Sequence, residues 1–195
     1  LDELIAAYKD KLEALKNHKK GLLQNLFPQE GQTVPNYRFP EFMNDGDWEE
    51  KTIGDFIESY KGGAALTPKD FVSESVYEVI PKKGIGEGMW LKIDTPIFCS
   101  KDFYFRNDQS VIDNSYLITI LRDLVPSGPS IGYIVKYESE KKYILAQGVY
   151  GLKIKNDLFP DFLIHFSNTR QYRKLMNSIM VGSTQVHIRN GEFFN

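Results

Sequence analysis

The sequence predicts an α+β protein: a long, coiled-coil-forming N-terminal helix, then a mostly antiparallel β domain with C-terminal helices. Three features lead there. A heptad-spaced apolar stripe fills residues 1–26 and stops at Phe27-Pro28-Gln29-Glu30-Gly31. Short β-branched and aromatic segments then alternate with turn-forming residues. From Leu158 to Met180 that rhythm gives way to helical periodicity.

In the first element Leu1, Ile5, Tyr8, Leu12, Leu15, Lys19, Leu22 and Leu26 follow at alternating spacings of four and three, a heptad seam with Lys19 as its polar member. Leu4 and Leu23 widen the stripe, while Lys9, Asp10, Lys11, Glu13, Lys16 and Lys20 hold the wet sides. An isolated helix is marginal in water, so this seam requires cover. A partner helix is favoured by the sustained register; the alternative is an amphipathic helix packed on its own domain. Pro28 expels its predecessor from the helical region and Gly31 lets the chain turn. The helix is therefore placed at 1–28, an irregular linker with Pro35, Pro40 and "NDGD" at 29–47, and a head at 48–195.

In the head, strands are expected within Val76–Ile80, Met89–Phe98, Phe103–Phe105, Tyr116–Leu121, Ser130–Tyr137 and Tyr143–Ile154, separated by turns at Lys83-Gly84, Asn107-Asp108, Pro126–Gly128 and Ser139-Glu140. Leu158–Met180 reads as helix, with Pro160 in a first turn and an interruption at Ser167-Asn168-Thr169. Gly182-Ser183 ends it, and Gln185–Arg189 is a last strand.

Composition bounds the function. The 195 residues, with 42% hydrophobic and 13% aromatic content, suffice for one sizeable core plus an appended element. A net charge of −2 carries no overall nucleic-acid footprint, so any such role must rest on local charge. Cys99 stands alone, which excludes an internal disulfide and fits a reducing, cytoplasmic compartment. No apolar run reaches membrane-spanning length, so no membrane partner is expected. The start at Leu1, inside a helical pattern, reads as a piece of a longer protein.

Catalytic motifs are weak. Gly128-Pro129-Ser130-Ile131-Gly132 matches G-x-S-x-G, but a nucleophile elbow needs a helix after it, and "YIVKY" is strand-like. Gly84–Gly88 ("GIGEG") lacks the lysine and hydroxyl of a phosphate loop and reads as a flexible loop. His18, His165 and His187 have no zinc-ligand spacing, and no metal site is expected. Asp113, Glu140 and Lys142 fit the acid and acid-x-lysine halves of a metal-dependent endonuclease site, a triplet type common by chance.

A local charge feature is more informative. Between Asp161 and Glu192 there is no acid, yet Arg170, Arg173, Lys174 and Arg189 lie there with His165 and His187. Ser183, Thr184, Gln185 and several asparagines add hydrogen-bonding groups, as phosphate positioning and base-edge reading require. A solvated helix face is the plainer alternative.

Three stretches carry a resemblance: "LKNHKKGLLQNLFPQEG", "VPNYRFPEF" and "DWEEKTIGDF". Together they resemble the specificity (S) subunit of type I restriction–modification systems, in which a helix ending "K-K-G-L-L-Q-x-[LM]-F-P" runs through "x-x-R-F-P-x-F" into the "W-x-x-x-x-[LI]-G" opening of a target recognition domain. The matching pieces here are Lys19–Pro28, Arg38–Phe42 and Trp48–Gly54, with Ser127–Gly132 and Gly182-Ser183 as further family-like positions.

The resemblance implies that the helix pairs in an antiparallel coiled coil, acting as spacer and as docking surface for methyltransferase subunits. It implies that the head reads half of a bipartite sequence in double-stranded DNA, without catalysis or a cofactor of its own. Methyltransferase (M) and restriction (R) subunits would bring S-adenosylmethionine, ATP and Mg. A first recognition domain before Leu1 and a second helix after Asn195 are expected, as is homodimerisation through Leu1, Ile5, Tyr8, Leu12, Leu15, Leu22 and Leu26 in the absence of that second helix. Candidate DNA contacts are Lys82, Lys83, Ser127, Ser130, Arg170, Arg173, Lys174, Ser183, Thr184, Gln185, His187 and Arg189. The rival functions are the endonuclease above and a coiled-coil adaptor whose head binds protein.

Overall fold

The computed structural model describes residues 1–195 and divides into two compact units, residues 1–50 with 169–171, and residues 51–168 with 172–195.

In the first unit, helix α1 (Asp2–Asn25) contains no buried residue. Leu1, Leu4, Ile5, Tyr8, Leu12, Leu15 and Leu22 are all exposed along it. The helix ends where Pro28 requires: Leu26 closes the last turn on the Leu22 carbonyl at 2.8 Å. Beyond it, Phe27 is buried edge-on to Trp48, with ring centroids 5.9 Å apart. Arg38 donates to the carbonyls of Phe42, Asp45 and Gly46, organising the acidic "NDGD" loop around one guanidinium.

The second unit carries strands β1 (Ile57–Gly62), β2 (Phe71–Val72), β3 (Glu78–Ile80) and β4 (Phe98–Cys99), then helix α2 (Lys101–Arg106). Strands β5 (Val111–Ile112), β6 (Tyr116–Ile120), β7 (Arg122–Asp123), β8 (Ile134–Val135), β9 (Tyr143–Leu145) and β10 (Val149–Ile154) follow. Helices α3 (Pro160–Ser167) and α4 (Arg170–Ile179), strand β11 (Val186–His187) and helix α5 (Asn190–Phe194) complete the chain. Three sheets result, ordered β1-β10-β6-β8, β2-β4-β3-β9-β5 and β11-β7. Pairing between these strands is antiparallel except for β3 with β9.

Alternation along β6 explains the layering. Leu117 joins a cluster with Ile134, Leu152, Leu163, Ile164, Tyr172 and Met176, so one face of the first sheet is covered by α3 and α4. Ile118 and Ile120 point the other way, into a cluster with Ile80, Ile112 and Leu145 of the second sheet. A third cluster, holding Val79, Cys99, Phe103 and Ile144, lies around α2. Buried Ser167 fastens α3 to the sheet: its Oγ accepts from the Ile134 N–H at 3.1 Å and donates to the Ile164 carbonyl at 2.8 Å.

Several sequence expectations are corrected. Phe103–Phe105 is helical, within α2, because Ser100 caps that helix by accepting from the Phe103 N–H at 3.2 Å. Met89–Phe98 is largely irregular, with a single bridge from Trp90 to Lys136 before β4. Ser130–Tyr137 shortens to β8, and Tyr143–Ile154 is two strands joined by a turn at Gln147-Gly148. The "GIGEG" loop is pinned rather than loose: Gly88 donates to Asn168 Oδ1 at 2.8 Å and receives a bond from its Nδ2 at 3.0 Å.

Candidate nucleic-acid interface

The short β7–β11 ladder sets Arg122 opposite His187 and Asp123 opposite Val186. The Leu121 N–H donates to the Gly148 carbonyl at 3.2 Å, and the Ile188 N–H to the Leu121 carbonyl at 2.9 Å, so the β9–β10 turn joins the same edge. Gly148 has φ +84, and a Cβ there would lie 2.9 Å from Lys82 Cε and 3.1 Å from Arg122 Cβ. Glycine at this left-handed turn lets the Lys82 stem and the Arg122 side chain pack against it. Burial, and then the charge of Arg122, pull the Lys82 amine below its ordinary value, while Asp123 opposes them. Lys82 and Arg122 are thus electrostatic neighbours at this edge, with Asp123 beside them.

Next to them a tight hairpin projects. Val181 and His187 exchange both backbone hydrogen bonds at 2.9 Å, leaving Gly182, Ser183, Thr184 and Gln185 exposed at the tip. Gly182 has φ +114, and a side chain there would run into the Gln185 carbonyl, which fixes glycine at this turn. His187 is half-buried and Arg189 exposed. The turn bearing Ser127 and Ser130 packs on the hairpin, because Gly128 stands against Met180 and Val186. Ser127 is exposed and Ser130 half-buried, and the chain continues into β8, so there is no strand–turn–helix elbow around Ser130.

Of the sequence candidates, the structure therefore brings together Lys82, Ser127, Ser183, Thr184, Gln185 and His187. Lys83 is exposed beside Lys82. On α4, Arg170 and Lys174 are exposed, whereas Arg173 is committed inward. Its Nη1 donates to the Ile131 carbonyl at 2.7 Å, and its guanidinium lies 3.8 Å from the Tyr133 ring centroid. Beside it the Tyr172 hydroxyl donates to the Gly132 carbonyl at 2.8 Å. Arg173 thus holds the Ser130 loop in place. Arg122 and Gln147 belong to this edge although the basic 162–191 stretch does not contain them. The turn at Pro126–Gly128 beside Arg122 was read from the sequence, but the turn at Gln147-Gly148 and the pairing that joins these residues were not.

Of the endonuclease candidates, Asp113 and Lys142 come near each other where β5 pairs with β9, but the Asp113 carboxylate is engaged locally. The Asp113 carboxylate accepts from the Ser115 N–H at 3.0 Å and from its hydroxyl, a local turn that holds it below the usual carboxylate range. Lys141, between Glu140 and Lys142, is paired with Glu78. No group of three or more His, Cys, Asp or Glu side chains is arranged to hold a metal ion.

The family model for the type I restriction modification DNA specificity domain matches residues 45–195. The chain belongs to that family. The fold of this specificity domain is similar to solved S subunits. A type I restriction–modification S subunit from M. genitalium is 18% identical, with a TM-score of 0.50, over 78% of this chain and 34% of that one. The HsdS subunit from Thermoanaerobacter tengcongensis is 15% identical, with a TM-score of 0.58, over 100% of this chain and 41% of that one. A chain from a study of assembly and conformational transition in the type I R-M system is 16% identical, with a TM-score of 0.59, over 100% and 42%. The specificity domain chain thus spans less than half the length of each solved relative. No curated protein sequence matches it. No helix is long and apolar enough to cross a membrane.

Proposed function

We propose that this chain is a DNA-reading part of a cytoplasmic type I specificity subunit, with residues 48–195 reading half of a bipartite target, residues 29–47 linking, and the 1–28 helix acting as spacer and docking surface. The observation that carries the reading is the shared edge of Lys82, Arg122 and the 182–185 hairpin in a chain of the DNA specificity family. Phosphates would be held by Lys82, Lys83 and Arg122, with Arg170 and Lys174 of α4 as further backbone contacts. Gln185, His187 and Arg189, with Ser183, Thr184, Ser127 and Ser130, are the groups proposed to reach base edges. Arg173 acts as a positioning residue for the Ser130 loop. Methylation and ATP-driven restriction would belong to the M and R subunits, which supply S-adenosylmethionine, ATP and Mg. The exposed α1 seam is the proposed helix-pairing surface, occupied by a second copy of this chain when no other helix is offered.

The test is selection of duplexes from a random pool by the full chain, followed by binding over a salt series. One sequence should be enriched, with binding that falls steeply with salt and no cleavage in Mg. Arg189→Ala or Gln185→Ala should cost about 1–3 kcal/mol and relax preference at one position. No enrichment, or cleavage dependent on Asp113, overturns the reading.

A further inference from the structure

The chain leaves β7 through Asp123-Leu124-Val125-Pro126-Ser127-Gly128, and the two residues at the crest of this turn are apolar and face outward. Leu124 is 62% exposed and Val125 48% exposed. The turn is stiff. The Asp123 carboxylate accepts from the Val125 N–H at 3.1 Å, and the Gly128 N–H donates to the Val125 carbonyl at 2.9 Å. Pro126 fixes φ between them, and Gly128, at φ +52, is packed against Met180 and Val186. Two apolar side chains are thus held out on a braced loop, where solvent gives them nothing.

Their surroundings identify the occupant. At the base of the crest Arg122 faces His187 across the ladder, and Lys82 stands beside Arg122. Asp123 is turned back onto the Val125 amide. Cations flanking an apolar point suit a polyanion whose only apolar interior is its base stack. Along the turn itself the apolar stretch is short, since Arg122, Asp123 and Ser127 border it in the chain, which suits a narrow point better than a broad protein contact. We infer that Leu124 and Val125 form a wedge that enters one base step of the bound duplex, with Arg122 and Lys82 on the flanking phosphates. This rests on the DNA-reading function above. The wedge would favour an easily unstacked pyrimidine–purine step, adding sequence preference without a hydrogen bond to any base.

The experiment uses the full chain and the duplex it selects, with 2-aminopurine placed in turn at each purine. Wild-type protein should brighten the probe at one step. Leu124→Ala with Val125→Ala should abolish that brightening and weaken binding about tenfold, while the slope of log K against log salt stays the same. Arg122→Ala should instead lower that slope by about one unit. Leu124→Phe should retain the brightening and serves as the control for a correctly folded turn. No brightening at any position with wild type, or an alanine variant that keeps both signal and affinity, overturns the wedge. An alanine variant unchanged on DNA that loses an M subunit would assign the crest to protein contact and overturns it as well. Failure of the DNA reading itself looks different, because the wild-type chain would then enrich no duplex at all.

Discussion

Helices α1 and α4 are both amphipathic, and their apolar stripes have opposite fates. In α4, Tyr172 and Met176 are 1% and 2% exposed, and Tyr172 and Arg173 add hydrogen bonds to the carbonyls of Gly132 and Ile131. In α1 no residue is buried, over 24 residues. The difference lies in what accompanies the stripe. In α4 Tyr172 and Arg173 reach fixed carbonyls of the β domain, whereas the sides of the α1 seam are dominated by Lys, Asp and Glu suited to water. The α4 stripe thus belongs to the core of its own domain, while the α1 stripe stays uncovered, which motivates the helix-pairing role proposed for it.

Variants can break this contrast. The largest effect is expected for Tyr172→Ala, which empties a fully buried site and orphans the Gly132 carbonyl. It should cost about 3–5 kcal/mol in denaturant unfolding of the β domain. Leu12→Asp with Leu15→Asp should leave that transition in place while lowering self-association at least about tenfold by sedimentation. An oligomer that persists would show that the seam is not the contact. Gly132 has φ +78, and a Cβ would lie 2.7 Å from Met176, so Gly132→Ala should destabilise the same domain by about 1–3 kcal/mol.

Smaller effects sharpen the picture inside the β domain. Thr119 is buried in β6 and its hydroxyl has no hydrogen-bond partner. Thr119→Val should therefore raise stability by about 1 kcal/mol, read as a higher denaturation midpoint with an unchanged slope. Asp70 is held below its ordinary value of 3.8, chiefly by hydrogen bonds from the Thr67 side chain and backbone. A depressed carboxylate stabilises the fold above its unfolded pKa, and that contribution disappears as pH falls through the folded value. The advantage of wild type over Asp70→Asn should thus be full near neutral pH and shrink as pH falls below the ordinary carboxylate value in parallel melts.

The long-period patterns were legible in the sequence. The seam, the stop at Pro28 and the paired helices with their break at Ser167-Asn168-Thr169 all follow from periodicity and chain-breaking residues. The helix at Phe103–Phe105 was hidden because aromatic residues favour strands, although Ser100 and Asp102 supplied cap and first-turn charge. At the candidate interface, the hairpin residues 182–185 could be named from local chemistry. Lys82 could be named too, but Arg122 could not, because what sets it beside Lys82 is a ladder between distant strands and one glycine turn. Arg173 was grouped with Arg170 and Lys174 by helical spacing, yet tertiary contacts turn it toward Tyr133 and the Ile131 carbonyl.

Strand order has a consequence during synthesis. Strand β1 pairs with β10 and β3 runs parallel to β9, so both early strands wait for partners made near the end of the domain. A nascent chain therefore exposes the α1 segment, with its leucine seam, well before the β domain can close, since non-local pairing is slow. The closing of the β domain is therefore one late step that waits for β9 and β10, and the β9-facing edge of the apolar strand β3 stays unpaired until then.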